Sequence, residues 1–207
     1  MATAALRVDA LAESLRSRIL AGELKPGTPL REEALSAEYE VARHSLRSAL
    51  RTLQGEGIVQ IEPNRGARVK SLSPEDVRGL SELRIALEVE AARIALARGA
   101  GRLPGPVHEA LDRLLAACRR KRASWGAVAE AHEGLHHAIV LAAESPRLAE
   151  VHRQAGAELR LFVLQLPSSW TLDRIASDHV ELVKKLEASG AEALRPHIEE
   201  STRALLA

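Results

Sequence analysis

Residues 131–140 read AHEGLHHAIV and contain His132-Glu133-Gly134-Leu135-His136. Residues four apart on a helix share a face, so His132 and His136 can reach the same ion. In H-E-x-x-H metallopeptidases two such histidines hold zinc and the glutamate between them serves as base. That chemistry also needs a third protein ligand and an open coordination position. Glu158 lies far enough downstream to supply the ligand, so the motif alone leaves the peptidase reading open. The longer peptidase pattern fails, because Ile139 stands where its glycine belongs and no histidine follows at the required spacing.

Elements must position these residues, and the composition says which kind. The 207 residues are 46% apolar and 28% charged, with aromatics only 2%. A core built from Leu, Ala, Val and Ile suits packed helices. Apolar runs fall well short of the roughly 20 residues a membrane span needs. Arg7 and Asp9 interrupt the N-terminal stretch, which therefore lacks the apolar segment of a signal peptide. The single Cys118 excludes an internal disulfide framework and fits a reducing cytoplasm, where it reads as a small core residue.

Two regions differ in chemistry. Residues 41–70 carry six basic side chains against two acidic ones, a possible phosphate footprint, although the formal net charge of the chain is only +1. Seven of the eight histidines lie beyond residue 100. Periodicity predicts helices over about 9–21, 31–39 (Ala34, Leu35 and Tyr39 inward) and 43–55. Strand-like GIVQIEP and GARVKSL follow, separated by Pro63-Asn64-Arg65-Gly66. Three helices and a hairpin form the pattern of a winged helix-turn-helix. Ser73 is placed to cap a helix running from Pro74 to about Arg98. Amphipathic segments near 104–122, 124–143, 146–166, 172–188 and 191–206 complete an all-α bundle. The expected fold is mainly α: a winged helix-turn-helix over 1–71, a linker and helix start over 72–79, and an all-helical bundle over 80–207.

The stretch from Glu13 to Val69 closely resembles the DNA-binding domain of the GntR family of bacterial transcriptional regulators. The resemblance rests on Ile19-Leu20-x-Gly22, Pro26-Gly27, Leu30, Val41-x-Arg43, Leu46-Arg47-x-Ala49-Leu50, Leu53, Glu56-Gly57 and Asn64-Arg65-Gly66. It implies that the N-terminal end of the third helix, with Arg43, His44, Ser45 and Arg47, enters the major groove. Arg43 is then expected to read a base, Arg47 a base or a phosphate, and Ser45 a phosphate, with Arg51 and Arg68 solvated. Asn64, Arg65 and Gly66 at the wing tip would approach the minor groove. Two positions depart from the family. Ala42 replaces a capping Ser or Thr, and Glu33 stands where relatives often carry a DNA-contacting arginine, leaving Arg31 as the neighbouring candidate.

The second half resembles the FCD domain of the FadR-type subfamily, through Leu83-Arg84, Leu87-Glu88 and Ala91-Ala92. That resemblance implies that Arg84 faces an effector pocket and clamps a carboxylate. It also implies metal ligands at His132, where the family usually has Asp or Asn, at His136, ten residues before Pro146, and at His179. The last ligand is His197 if about one helical turn is deleted near Gly190, and Ser201 on strict counting. Pro196 would bend or tighten its turn. Such a set favours a divalent transition ion, Zn²⁺ or Ni²⁺. All-neutral ligands would leave its charge to attract an anionic effector. His108, His137 and His152 are read as core or surface residues, and Glu133 as chemically idle. The expected function is a cytoplasmic regulator without catalytic activity, binding a double-stranded operator as a homodimer under control of a small organic acid. A metal sensor and an H-E-x-x-H peptidase with a DNA-binding head are the alternatives.

Overall fold

The computed structural model describes residues 2–121 and 123–207, with side chains from residue 8 onward. Arg7, used above against a leader, thus lies outside the described side chains. The chain divides into two compact units, Met1–Ser71 and Leu72–Ala207. Among the described residues no helix is long and apolar enough to cross a membrane.

In the first unit α1 (Ala2–Leu20) aligns Leu11, Leu15 and Ile19 at four-residue intervals, and all three are buried. Next come a two-residue strand β1 (Pro29–Leu30), α2 (Glu32–Glu38) and α3 (Arg43–Gly55). Leu46, Ala49, Leu50 and Leu53 form the buried stripe of α3. In α2 only Leu35 is fully inside; Ala34 is exposed, contrary to the inward position expected. Seven residues make two turns, and a stripe that short has room for one anchoring side chain. The α2–α3 turn is made by Glu40 with φ +53°, a left-handed conformation unusual for a non-glycine residue. The Arg16 guanidinium ties α1 to Glu56 at the end of α3, with Nε donating to Oε2 at 2.6 Å.

The wing is larger than a hairpin. Strands β2 (Val59–Glu62) and β3 (Gly66–Val69) pair antiparallel, with Val59 opposite Val69 and Glu62 opposite Gly66. Strand β1 pairs with the other edge of β3, giving the order β1-β3-β2. Proline is tolerated at position 29 because β1 is an edge strand.

The second unit is all helical: α4 (Pro74–Arg84), a π turn (Ile85–Val89), α5 (Glu90–Arg98), α6 (Gly105–Arg119), α7 (Trp125–Leu141), α8 (Pro146–Leu164), α9 (Leu172–Ser189), a 3₁₀ turn (Ala191–Ala193) and α10 (Leu194–Leu206). A capping box opens α4: the Ser73 hydroxyl accepts the Asp76 N–H, and Asp76 Oδ2 accepts the Ser73 N–H. The uninterrupted helix expected over 74–98 is broken by the π turn, whose wider i→i+5 bonding is common at functional sites. Leu114, Leu135, Ile139, Ile175, Leu182, Leu186 and Ile198 are core residues of this unit, with Trp170 and Cys118 packed among them. Each such aliphatic side chain contributes about 1.5–3 kcal/mol by leaving water. Burial pushes the Cys118 thiol upward, as befits an inert core residue.

Candidate functional site

Helix α7 presents His132 and His136 on one face, α9 brings His179, and α10 brings His197. One ring nitrogen from each of the four lies within 4.8 Å of those of the others. His136 and His179 are fully buried, whereas His132 and His197 are half-buried. The His197 ring stands 4.6 Å from that of His179 and 5.5 Å from that of His136, centroid to centroid.

Ser201, the alternative last ligand, instead donates its hydroxyl to the Ile198 carbonyl at 2.8 Å. The chain before α10 explains the register. Gly190 adopts φ +91° and ψ −177°, a region essentially reserved for glycine, and leads into the 3₁₀ turn. Pro196 then falls in the first turn of α10, where its missing N–H leaves no helical bond unmade, so it produces no interior bend.

Hydrogen bonds fix the tautomers. The Nδ1 of His179 donates to the Ile175 carbonyl at 2.7 Å, and the Nδ1 of His136 donates to Glu88 Oε2 at 2.7 Å. Each ring therefore turns its Nε2 lone pair toward the other, 3.3 Å apart, with Arg84 Nη2 3.4 Å from that of His136. Two lone pairs repel at that distance unless a cation lies between them. The separation also suits two corners of a tetrahedron with metal–nitrogen bonds of about 2.0–2.1 Å, whose edge is about 3.3–3.4 Å. All four imidazoles are held neutral, the form that ligates metal. Burial is the main cause, and for His179 it brings the pKa to about 3, with the neighbouring His136 adding to the effect. His132 and His197 are lowered well below the usual range by burial and then by His179. The residues present thus fit a divalent transition-metal ion.

The π turn supplies what lies behind this cluster. Arg84 and Glu88, both buried, pair through Nε and Oε1 at 2.8 Å. The Arg84 guanidinium also lies 3.3 Å from the His136 ring and 5.9 Å from the Phe162 centroid. The salt bridge at Arg84 is therefore internal. Burial alone would raise the Glu88 carboxyl, but Arg84 and then His136 and His152 outweigh it and hold the group ionised. Arg84 lines a small cavity with His132, Glu133, His136 and Leu159. Glu88 was quoted in the sequence only as part of a motif. Its i,i+4 spacing from Arg84 was visible, but its bond to His136 crosses 48 residues.

His152 is another residue given no role by sequence. It is buried, with Nε2 3.5 Å from Glu88 Oε1 and Nδ1 3.1 Å from His137 Nδ1. Glu133, His137 and His152 form a second group with donor atoms within 4.8 Å of one another. Glu158 instead lines a groove with Ser73, Asp76 and Leu80 and takes no part in the four-histidine cluster. His108 is half-exposed beside Glu187 at 3.3 Å.

In the first unit the recognition residues share the start of α3. Arg43, His44 and Arg47 are exposed and Ser45 is half-buried. No side chain caps the helix at Ala42. Acidic residues of α2 hold the arginines: Arg47 Nε donates to Glu32 at 2.8 Å, and Arg43 lies 3.5 Å from Glu33. Arg31 is exposed and occupies the N-cap position of α2. Asn64 and Gly66 at the wing tip both have positive φ, +64° and +75°, with Arg65 exposed between them. Arg51 is exposed and Arg68 half-buried.

Comparison with known proteins follows the same division. The model of the GntR family of bacterial regulatory proteins matches residues 7–69, and that of the FCD domain matches residues 79–203. The HTH-type transcriptional regulator BphR of Paraburkholderia xenovorans is 38% identical over 92 residues, 44% of this chain and 38% of the relative. The chain thus spans little more than a third of that relative's length. A relative from Paenarthrobacter nicotinovorans, "Probable D-xylose utilization operon transcriptional repressor", is 28% identical over 193 residues, 87% of this chain and 80% of its own. A solved GntR transcriptional regulator from Rhodococcus sp. RHA1 superposes with a TM-score of 0.80 at 25% identity, covering 97% of both chains.

Proposed function

The chain belongs to the GntR family of bacterial regulatory proteins and carries an FCD domain, and we propose that it is a transcriptional regulator whose operator affinity is set by a small carboxylate bound beside a metal centre. His132, His136, His179 and His197 would hold Zn²⁺ or Ni²⁺. The bound ion would supply a fixed positive charge. The observation that carries this reading is the facing pair of Nε2 atoms at 3.3 Å, each ring's Nδ1 being committed elsewhere.

The charge count supports an anionic effector. Arg84 and Glu88 cancel and the four imidazoles are neutral, so a divalent ion beside the carboxylate of Glu133, which lines the same cavity, leaves the pocket with one net positive charge. Arg84, lining the adjoining cavity, can rotate from Glu88 to a carboxylate with which it makes two parallel hydrogen bonds. Four imidazoles fill a tetrahedral shell and leave no place for an activated water, which speaks against a peptidase.

In the first unit Arg43 and Arg47 would exchange Glu33 and Glu32 for guanine and phosphate in the major groove. Ser45 would bind phosphate, with His44 and Arg31 beside them and Asn64, Arg65 and Gly66 at the minor groove. Exposed ion pairs contribute only about 0–1 kcal/mol each, so the exchange costs little. The protein would bind as a homodimer, with one α3 helix on each half of an inverted repeat.

A thermal-shift screen of small mono- and dicarboxylates on metal-loaded protein tests the pocket. At least one acid should stabilise the wild type and lose its effect in His136→Ala and Arg84→Ala. An equal response in His136→Ala rules the assignment out. Operator binding that follows metal at constant carboxylate identifies the ion as the signal.

A further inference from the structure

The string at the centre of α7 reads H-E-x-x-H-H, not only H-E-x-x-H. It contains two i,i+4 pairs, His132/His136 and Glu133/His137, offset by one residue and so by about 100° around the helix. The first pair faces α9 and α10. The second meets α8, where His152 is buried and aligned.

We infer that Glu133, His137 and His152 form a second binding site for a divalent transition-metal ion, joined to the four-histidine cluster through Glu88. Two imidazoles and one carboxylate are a ligand set used by zinc and other first-row ions. The donor atoms lie within 4.8 Å of one another, and the two Nδ1 atoms are 3.1 Å apart. Glu88 approaches His152 on its Nε2 side, 3.5 Å away, which favours the proton there and leaves Nδ1 bare toward His137. The same carboxylate accepts a hydrogen bond from His136 and lies at ion-pair distance from His152, so one buried anion borders a histidine of each group.

The floor of this site is Gly156 on α8. A Cβ there would stand 3.3 Å from Glu133 Oε1 and 3.6 Å from its Cδ, in the space the carboxylate needs. Glu133 and His137 are half-buried, so an ion can reach them, while His152 is fixed inside. With three protein ligands this centre keeps an open position, unlike the four-histidine cluster.

Metal stoichiometry of the full chain, stripped by chelation and titrated with Co²⁺, provides the test through visible absorption and elemental analysis after dialysis. About two equivalents per chain are expected for the wild type. About one should remain in His137→Gln, in Glu133→Gln and, through the second centre alone, in His179→Ala. One equivalent in the wild type that His137→Gln leaves unchanged overturns the second centre and spares the four-histidine reading. One equivalent lost in His137→Gln but kept in His179→Ala supports the second centre and overturns the first. A second equivalent that survives both His137→Gln and Glu133→Gln places the ion elsewhere and also overturns the inference. Should His137→Gln not fold, Glu133→Gln gives the same comparison, and a single wild-type equivalent removed by His179→Ala overturns the second centre.

Discussion

At the scale of single residues, strain and charge sit where the first unit would meet DNA. Glu40 holds a left-handed conformation in the exposed turn between α2 and α3, with φ +53°. A non-glycine residue gives up roughly 1–2 kcal/mol there. Glycine removes that strain but adds about 0.4–1 kcal/mol of freedom to the unfolded chain. Glu40→Gly is therefore expected to stabilise the protein by about 0.5–1 kcal/mol, read as a higher denaturation midpoint with unchanged slope. A lower midpoint would mean that the Glu40 side chain does something this backbone view omits. Arg43 and Arg65 should separate by kind of contact. Arg43→Ala should weaken operator binding by about 1–3 kcal/mol and relax preference at one base pair. Arg65→Ala should weaken all sequences alike and reduce the salt slope by about one. Equal loss on specific and random DNA for Arg43→Ala would remove it from base readout.

At the scale of elements, what could be read in the sequence depended on whether the signal was local. The span of α3 and the Ser73 cap of α4 follow from neighbouring residues and emerge as expected. So do the i,i+4 histidines of α7. The π turn left no such trace: buried positions 77, 80, 81, 84, 88, 89, 91, 92, 95 and 96 keep three- and four-residue spacings through it. Strand β1 escaped because two residues cannot show an alternation. His152 and Glu88 escaped because their partners are contributed by other helices. The absent cap at Ala42 was local and therefore visible. Ala42→Ser should add about 1 kcal/mol to the first unit by satisfying a free N–H of α3. Gly190 was visible as a break, but not as the residue that sets the register of α10. Gly190→Ala faces no steric obstacle, since nothing lies within 4 Å of the added Cβ. The φ of +91° alone makes it costly, by about 1–3 kcal/mol. Chain relaxation there would carry His197 with it, so metal affinity should fall along with stability. Unchanged metal affinity would show that α10 is held by its own packing and that the turn is passive.

At the scale of the whole molecule, the chain divides into two compact units, and among the described residues the histidine clusters lie in the second. A ligand that binds only the folded state stabilises by RT ln(1 + [L]/Kd), about 2.7 kcal/mol at a hundredfold excess over Kd. Metal should therefore raise the unfolding temperature of the helical unit and leave that of the winged unit where it was. Hydrogen exchange reads the two separately, through amides of α9 and α3, and protection of both to the same extent on adding metal would mean that they unfold as one. Regulation asks for more than stabilisation. If a carboxylate lowers operator affinity by some factor, linkage requires the operator to lower carboxylate affinity by the same factor, typically about 5- to 150-fold. Calorimetric titration of the acid into metal-loaded protein, with and without saturating operator, measures that factor from the other side. Equality of the two factors is the expected result. An acid that binds the free and operator-bound protein equally well, however tightly, is not the signal this molecule transmits.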